Sequence, residues 1–163
     1  MSSDQTFRRV LAVCRIFTGV IFFLFGEYKV FRPWFATGGG FQYWANQFTP
    51  FAFYRPFLTY VVNPHAVFWA YFVGFGELAI GLSLIAGLLV RAASVGGFIE
   101  MLNLLAATAM APGPHAELWK YFGANLDHIC PALLFVIFYF ARAGDTWGLD
   151  AWRAARHLRV GNP

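Results

Sequence analysis

The chain has 163 residues, of which 59% are hydrophobic and only 12% carry a formal charge. Charged residues make up about a quarter of an ordinary soluble domain, so this composition excludes that class and indicates a membrane protein. The net charge of +4 comes from basic residues that flank apolar stretches, a membrane-facing pattern and not a nucleic-acid surface.

About 20 apolar residues cross a bilayer as a helix, and four segments reach that length: about 10–31, 65–89, 92–111 and 118–141. The expected fold is all-α: one integral membrane four-helix bundle over residues 1–163, with a long aromatic outer loop between the first and second spans. Ser2, Ser3 and Asp4 lead into the first helix through Arg8 and Arg9. Within that span Arg15, Thr18, Phe22, Gly26 and Lys29 recur at spacings of three and four and form one stripe, while Glu27 falls on another face. Arg32-Pro33 and Gly38-Gly39-Gly40 end the helix. The span is too long for a signal-peptide core and lacks a small-residue cleavage site, so it is expected to stay as an anchor.

Residues 41–62 are too apolar for a solvated linker and are broken by Pro50 and Pro56. They read either as an interfacial aromatic belt or as a lid folded back over the bundle. The second span is expected after Asn63-Pro64, with Gly74, Glu77 and Gly81 on one face and Ala79, Ser83 and Gly87 as a small-residue stripe on another. A short turn around Arg91 makes the second and third spans an antiparallel hairpin. On the third, Ala93, Gly96, Gly97, Glu100, Asn103 and Ala107 share a side that reads as inward-facing. Pro112, Gly113 and Pro114 mark its exit, and Trp119 and Tyr121 anchor the outer start of the fourth span. There Asn125 and His128 share a face at i, i+3, and Pro131 frees carbonyls one turn earlier, near Asp127. A closing turn, Gly144 to Asp150, leads into a short basic helix through Arg159, with Asp150 as its expected N-cap.

Four spans put both termini on one side. Arg8, Arg9, Arg91, Arg142, Arg153, Arg156 and Arg159 lie there, against Arg32, Arg55 and Lys120 opposite. Basic flanks stay cytoplasmic, so both termini are expected in the cytoplasm. Cys14 and Cys130 form no Cys-x-x-Cys pair, which removes a thiol–disulfide motif, and both are expected to be small buried residues.

Each span carries ionisable groups: Arg15, then Glu77, then Glu100, then Asp127 beside His128. A charge in hydrocarbon costs ~2.5–3.5 kcal/mol and normally faces a partner or a wet cavity. A rise of ~1.5 Å per residue puts Arg15 ~8 Å and Glu100 ~12 Å from the inner boundary, with Glu77 near the midplane. The same rise puts Asp127 and His128 ~14 Å below the outer boundary. Arg15 with Glu100 is then the natural ion pair, and Asn103, Asn125 and His128 complete a polar column toward Lys29 and Glu27. Such a column suits helix registry, a site for a lipid-soluble redox carrier such as quinone, or a solute path. The lack of an internal repeat or broken helices argues against a transporter. Of the histidines only His128 lies well inside a span, since His65 and His115 sit at the rim and His157 in the tail. No metal-ligand spacing results, and haem is disfavoured. No nucleophile elbow or phosphate-binding loop is present.

The string Gly76-Glu77-Leu78-Ala79-Ile80-Gly81-Leu82-Ser83-Leu84, followed by Gly87-Leu88-Leu89-Val90-Arg91-Ala92-Ala93, resembles the central hairpin of the DoxX/DoxD family. Arg15 with Gly19 and Gly26-x-x-Lys29 is similar to that family's first span, and Ala143 to Asp150 resembles its closing Gly-x-G-x-x-S/G-L-D signature. Asn103 and Asn125 fall where the DoxD-like members tend to carry asparagine. The resemblance extends over nearly the whole chain, with Asp145 and the aromatic outer loop as departures. It implies a four-helix protein of a bacterial or archaeal plasma membrane. Relatives include the membrane subunit of thiosulfate:quinone oxidoreductase, which works with a small extracytoplasmic partner, and members of thiol and oxidative-stress assemblies. The expected function is therefore the membrane subunit of a quinone-linked oxidoreductase, passing electrons from a sulfur compound or a partner protein to quinone. Glu77 and Glu100 would handle protons, and Arg15, Lys29, Asn103, Asn125 and His128 would line the quinone pocket. The alternative is a non-catalytic accessory subunit of a larger membrane complex, with the small-residue stripe and the aromatic loop as its contact surfaces.

Overall fold

The computed structural model describes residues 2–160, with side chains as far as Arg156. Helix α1 (Ser3–Phe31) starts where the Ser2 hydroxyl accepts the Gln5 N–H, an N-cap reinforced by Asp4 in the first turn. Two short helices, α2 (Pro33–Ala36) and α3 (Gly40–Gln47), follow in the aromatic loop, which marks one end of the bundle (outer, as a label only) opposite the end with the turn at residues 87–89 (inner). Helix α4 (Arg55–Phe57) then runs through a π turn (Leu58–Val62) and a 3-10 turn (Asn63–His65) into α5 (Ala66–Ala86). Arg55–Ala86 is thus one apolar helical run of 32 residues. It begins well before Asn63-Pro64, where the sequence suggested the span would start. Pro56 sits in the first helical turn, where a missing N–H costs nothing, and the widened turn before Asn63 absorbs Pro64.

Helix α6 (Val90–Thr108) follows a tight turn, and α7 (Leu118–Ala124) and α8 (Leu126–Phe140) meet at 74°. The fourth span is therefore not one continuous helix. The break lies at Asn125, whose backbone leaves the helical region (φ −120, ψ 17). Its side chain replaces the lost helical bonds: Nδ2 donates to Tyr121 O at 2.8 Å, and Oδ1 accepts from the Thr108 hydroxyl at 3.0 Å. Asn125 and His128 consequently do not share a helical face. At ~1.5 Å per residue α8 is ~22 Å long, short of the ~30 Å hydrocarbon core. Asp127 and His128 stand in its first turn, directly after the break. A last helix, α9 (Leu149–Val160), follows a 3-10 turn at Ala143–Asp145.

Among the described residues three helices are long and apolar enough to cross a membrane, and the number is four where the bent pair α7–α8 counts as one span. The chain is a multi-pass membrane protein. Its surface agrees: Phe17, Leu24, Phe25, Phe75, Leu82, Val95, Ile99, Leu133 and Ile137 all face outward, an apolar girdle that only lipid or protein can cover. Cys14 and Cys130 lie on this outer surface and not in the core.

Helices α1 and α5 pack most closely, through glycines. A Cβ added at Gly81 would stand 2.5 Å from Phe23 N and 2.8 Å from Gly19 O, and one at Gly26 would stand 2.6 Å from Leu78 N. Backbone meets backbone here, which small residues permit in lipid. The contact face of α5 is Gly74 and Gly81, whereas Ala79 of the other small-residue stripe is exposed. Helix α8 packs on α6 with Phe135 lying over Gly97, and the Phe135 ring meets Phe22 of α1 edge-on at 5.1 Å. These residues join Leu11, Ile80, Leu84, Val90, Met101 and Phe138 in the main core.

The outer loop folds back over the bundle. Phe35 and Ala36 of α2 bury against Ala70 of α5. Further along, the Phe51 N–H donates to Ala106 O and the Met110 N–H to Thr49 O, both at 3.0 Å. The Tyr54 hydroxyl donates to Asn103 Oδ1 at 2.7 Å. Rings of Tyr54, Phe57, Trp69 and Phe72 continue the contact from α6 to α5, with centroids 5.2, 5.7 and 5.5 Å apart. The loop is a strap across the outer end.

Candidate functional site

Arg15 is fully buried, but it does not meet Glu100. Its Nη2 donates to Trp147 O at 2.9 Å, and Nη1 presses against the contact between Gly87 and Gly148. Gly87 ends α5 with φ +63, a left-handed cap that glycine adopts without strain. Around it Asp150 makes three bonds. Its N–H donates to Gly87 O at 2.9 Å, Oδ1 accepts the Leu89 N–H at 2.9 Å, and Oδ2 accepts the Val90 N–H at 3.1 Å. Asp150 therefore caps α6, not the helix it belongs to. Arg15 is level with this turn, at the end of the bundle where α5 passes into α6. The inferred Arg15–Glu100 pair fails because α1 runs on past that end toward its start at Ser3.

The second centre is formed by three helices. Lys29, in the last turn of α1, turns its chain along Gly74, whose missing side chain leaves room, and its Nζ donates to Glu77 Oε1 in a close ion pair. The two side chains are 15% and 5% exposed. Lys29 Nζ also lies 5.9 Å from the centroids of Phe25 and Phe35. From α6, the Glu100 carboxyl interacts with both Glu77 and Lys29. Glu77 Oε2 and Glu100 Oε1 are buried without a hydrogen-bond partner among the described side chains. One ammonium thus faces two carboxyls. The cluster sums to zero charge only with a single proton on the carboxyl pair.

The other residues singled out from the sequence lie apart. Asn103 is exposed; its Nδ2 donates to Ile99 O at 2.8 Å while its Oδ1 takes the Tyr54 hydroxyl. Asn125 is buried and fully engaged at the helix break. His128 Nδ1 stands 3.7 Å from Asp127 Oδ1, and the Asp127 side chain is 72% exposed. The expected single polar column is instead a set of separate centres, of which only Lys29, Glu77 and Glu100 converge. Two residues escaped sequence reading. Tyr54 lay in a loop without periodicity, and Asp150 belonged to the closing signature but was assigned to the wrong helix. Burial pushes the Tyr54 phenol above its usual 10.0.

Beside the cluster, the outward face of α1 carries an open apolar groove of about 490 Å³ lined by Ile21, Leu24, Phe25 and Tyr28. Phe25 belongs to both groove and cluster. Among the described residues no three His, Cys, Asp or Glu side chains are grouped to hold a metal ion.

A helical membrane bundle with a glycine-packed first pair, a buried Lys–Glu–Glu cluster and a capped inner turn defines the class. Residues 10–111 match the model of the DoxX family, and the chain belongs to that family. The matched segment takes in α1, the outer strap, α5 and α6, and stops before α7, α8 and the closing turn. It is shorter than the near-complete resemblance read from the sequence. No curated protein and no solved structure matches the chain.

Proposed function

We propose that this DoxX protein is the membrane subunit of a quinone-linked oxidoreductase in a bacterial or archaeal plasma membrane, with both termini cytoplasmic. Electrons would arrive at the outer face from a partner protein or a sulfur compound. The observation that carries the reading is the Lys29–Glu77–Glu100 cluster, one positive charge short and adjoining a groove open to lipid. A quinone needs a flat apolar seat and donors for its carbonyls, and the groove residues fit that need. Ile21, Leu24 and Phe25 supply the apolar wall, the Tyr28 phenol a donor, and Lys29 a cation one residue further on. Bound quinone accepts electrons and takes up protons. Glu77 and Glu100 would hold the proton nearest the seat, and Lys29 would fix their orientation. The aromatic strap shields the outer end from water.

To test this, the full chain is expressed in membranes with its partner, and quinone reduction and extractable quinone are both measured. Glu77→Gln and Glu100→Gln are expected to lower the rate about 100-fold or more, the scale of a lost proton-transfer group. Leu24→Trp, which fills the groove, is expected to lower bound quinone. Unchanged rates in both glutamine variants overturn the proton roles, and unchanged quinone content in Leu24→Trp overturns the seat.

A different observation favours the accessory-subunit reading. Trp34, Tyr43, Trp44, Phe53 and Tyr60 expose their rings along the outer strap, a surface suited to a protein partner. Purification in mild detergent separates the two. A stable companion with its own cofactors, and no quinone in this chain, supports the accessory role.

A further inference from the structure

The closing turn and α9 gather aromatic and cationic side chains at the membrane face that carries both termini. Trp147, Leu149 and Trp152 are 58%, 45% and 58% exposed. Arg142, Arg153 and Arg156 are exposed beside them, and the Arg156 guanidinium lies 5.3 Å from the centroid of the Trp152 ring. The level of this group is fixed. Trp147 O accepts from Arg15 in the first span, and Asp150 is bonded to the turn between the second and third spans. The start of α9 is therefore held at the inner end of the membrane-crossing helices. Of the two acids in the turn, Asp150 is consumed as a cap and Asp145 pairs with Arg142 at 2.9 Å, so the cations of α9 keep their charge toward the membrane surface.

We propose that α9 and its preceding turn are a docking surface for anionic phospholipid headgroups. Arg153 and Arg156 would bind the phosphate, and Trp147 and Trp152 would sit at the boundary of headgroup and acyl chain. Indole rings prefer that depth, and an arginine stacked on an indole keeps its donors free in the ring plane. A basic side chain near an anionic surface is worth about fivefold in binding, so two are worth about 30-fold.

The test uses the full chain in mild detergent, with lipid retention read by native mass spectrometry. Phosphatidylglycerol is expected to be retained about 30-fold more tightly than phosphatidylcholine, and Arg153→Gln with Arg156→Gln is expected to abolish the difference. Arg32→Gln with Arg55→Gln, at the opposite end, is expected to leave it intact. Inorganic phosphate at millimolar concentration is expected not to displace the lipid; displacement would show a free-anion site and overturn the proposal. Equal retention of the two lipids, or a double variant that behaves as the parent, also overturns it. A second readout does not depend on the arginine variants. Brominated phosphatidylglycerol is expected to quench tryptophan fluorescence, and Trp147→Phe with Trp152→Phe is expected to remove part of that quenching. A loss no larger than expected from random bilayer contact overturns the placement.

Discussion

Removing the positive charge of the buried cluster tests its asymmetry most directly. Lys29→Met leaves Glu77 and Glu100 facing each other without a cation, and both sit among apolar neighbours. Stranding a buried charge by deleting its partner costs ~3–5 kcal/mol. Glu77→Gln is different, because Glu100 remains within reach of the same ammonium and can replace the lost partner. That substitution is expected to cost ~1–2 kcal/mol, the scale of one charged hydrogen bond. The triple change Lys29→Met, Glu77→Gln, Glu100→Gln removes all three charges together and is expected to recover most of the loss, since replacing a complete buried ion cluster by neutral groups is often close to neutral. The assay is equilibrium unfolding of the full chain in mixed micelles, followed by circular dichroism. Equal costs for Lys29→Met and Glu77→Gln would refute the shared-cation geometry. A triple variant as unstable as the sum of its parts would refute the coupling among the three groups.

Other predictions follow from single contacts. Gly81→Ala forces a Cβ against the Phe23 and Gly19 backbone and is expected to destabilise by ~1–3 kcal/mol, whereas Gly76→Ala meets nothing within 4 Å and is expected to be neutral or to stabilise by up to ~1 kcal/mol. The same unfolding assay checks both, and equal effects would disprove the close approach of α1 and α5. Asp150→Ala leaves the Leu89 and Val90 N–H groups uncapped, with an expected cost of ~1–2 kcal/mol and faster trypsin cleavage near Arg153; unchanged cleavage would contradict the tether. Tyr54→Phe frees Asn103 and is expected to speed hydrogen exchange in residues 49–54 while sparing the spans. The Tyr54 phenol is raised above 10.0 by burial, so its contribution to stability is complete below that value and lost as pH climbs through the raised one. The latest-forming phenolate in an ultraviolet titration should therefore vanish in Tyr54→Phe, and its persistence would place the buried phenol elsewhere.

Much of the fold was legible because lipid makes periodicity informative. The stripe Arg15, Thr18, Phe22, Gly26 on α1 is buried as the spacing of three and four implies, and Gly74, Glu77 and Gly81 share the buried face of α5. What periodicity cannot supply is vertical register between helices. Arg15 and Glu100 seemed level only when the first span was taken to begin at residue 10, and the contact of Gly19 with Leu84 and Gly81 sets a different register. The fourth helix failed for another reason. Asn125 offers its own amide to Tyr121 and Thr108, which compensates the broken backbone ladder in a way that no local propensity signals. Asn103 was read as inward because it lies three residues from Glu100, yet the inward face of α6 is Val90, Ser94, Gly97 and Met101.

The two buried polar centres differ in what they join. At the inner turn, donors and acceptors from three parts of the sequence meet: Arg15 on a carbonyl, and Asp150 on two N–H groups while its own N–H reaches Gly87. That centre holds α9 to the membrane helices, while Arg15 Nε and Nη1 stay buried without hydrogen-bond partners. The Lys29 centre is also incompletely paired. It keeps carboxyl oxygens on Glu77 and Glu100 without partners, in a place where each such atom costs ~1–3 kcal/mol. A purely structural pair would be cheaper with one carboxylate than with two. Under the proposed proton role Glu100 is kept for turnover at a cost in desolvation, and Glu100→Gln is expected to raise stability while it lowers turnover. A Glu100→Gln protein that is less stable and fully active would reverse the assignment and make the cluster a helix-register device.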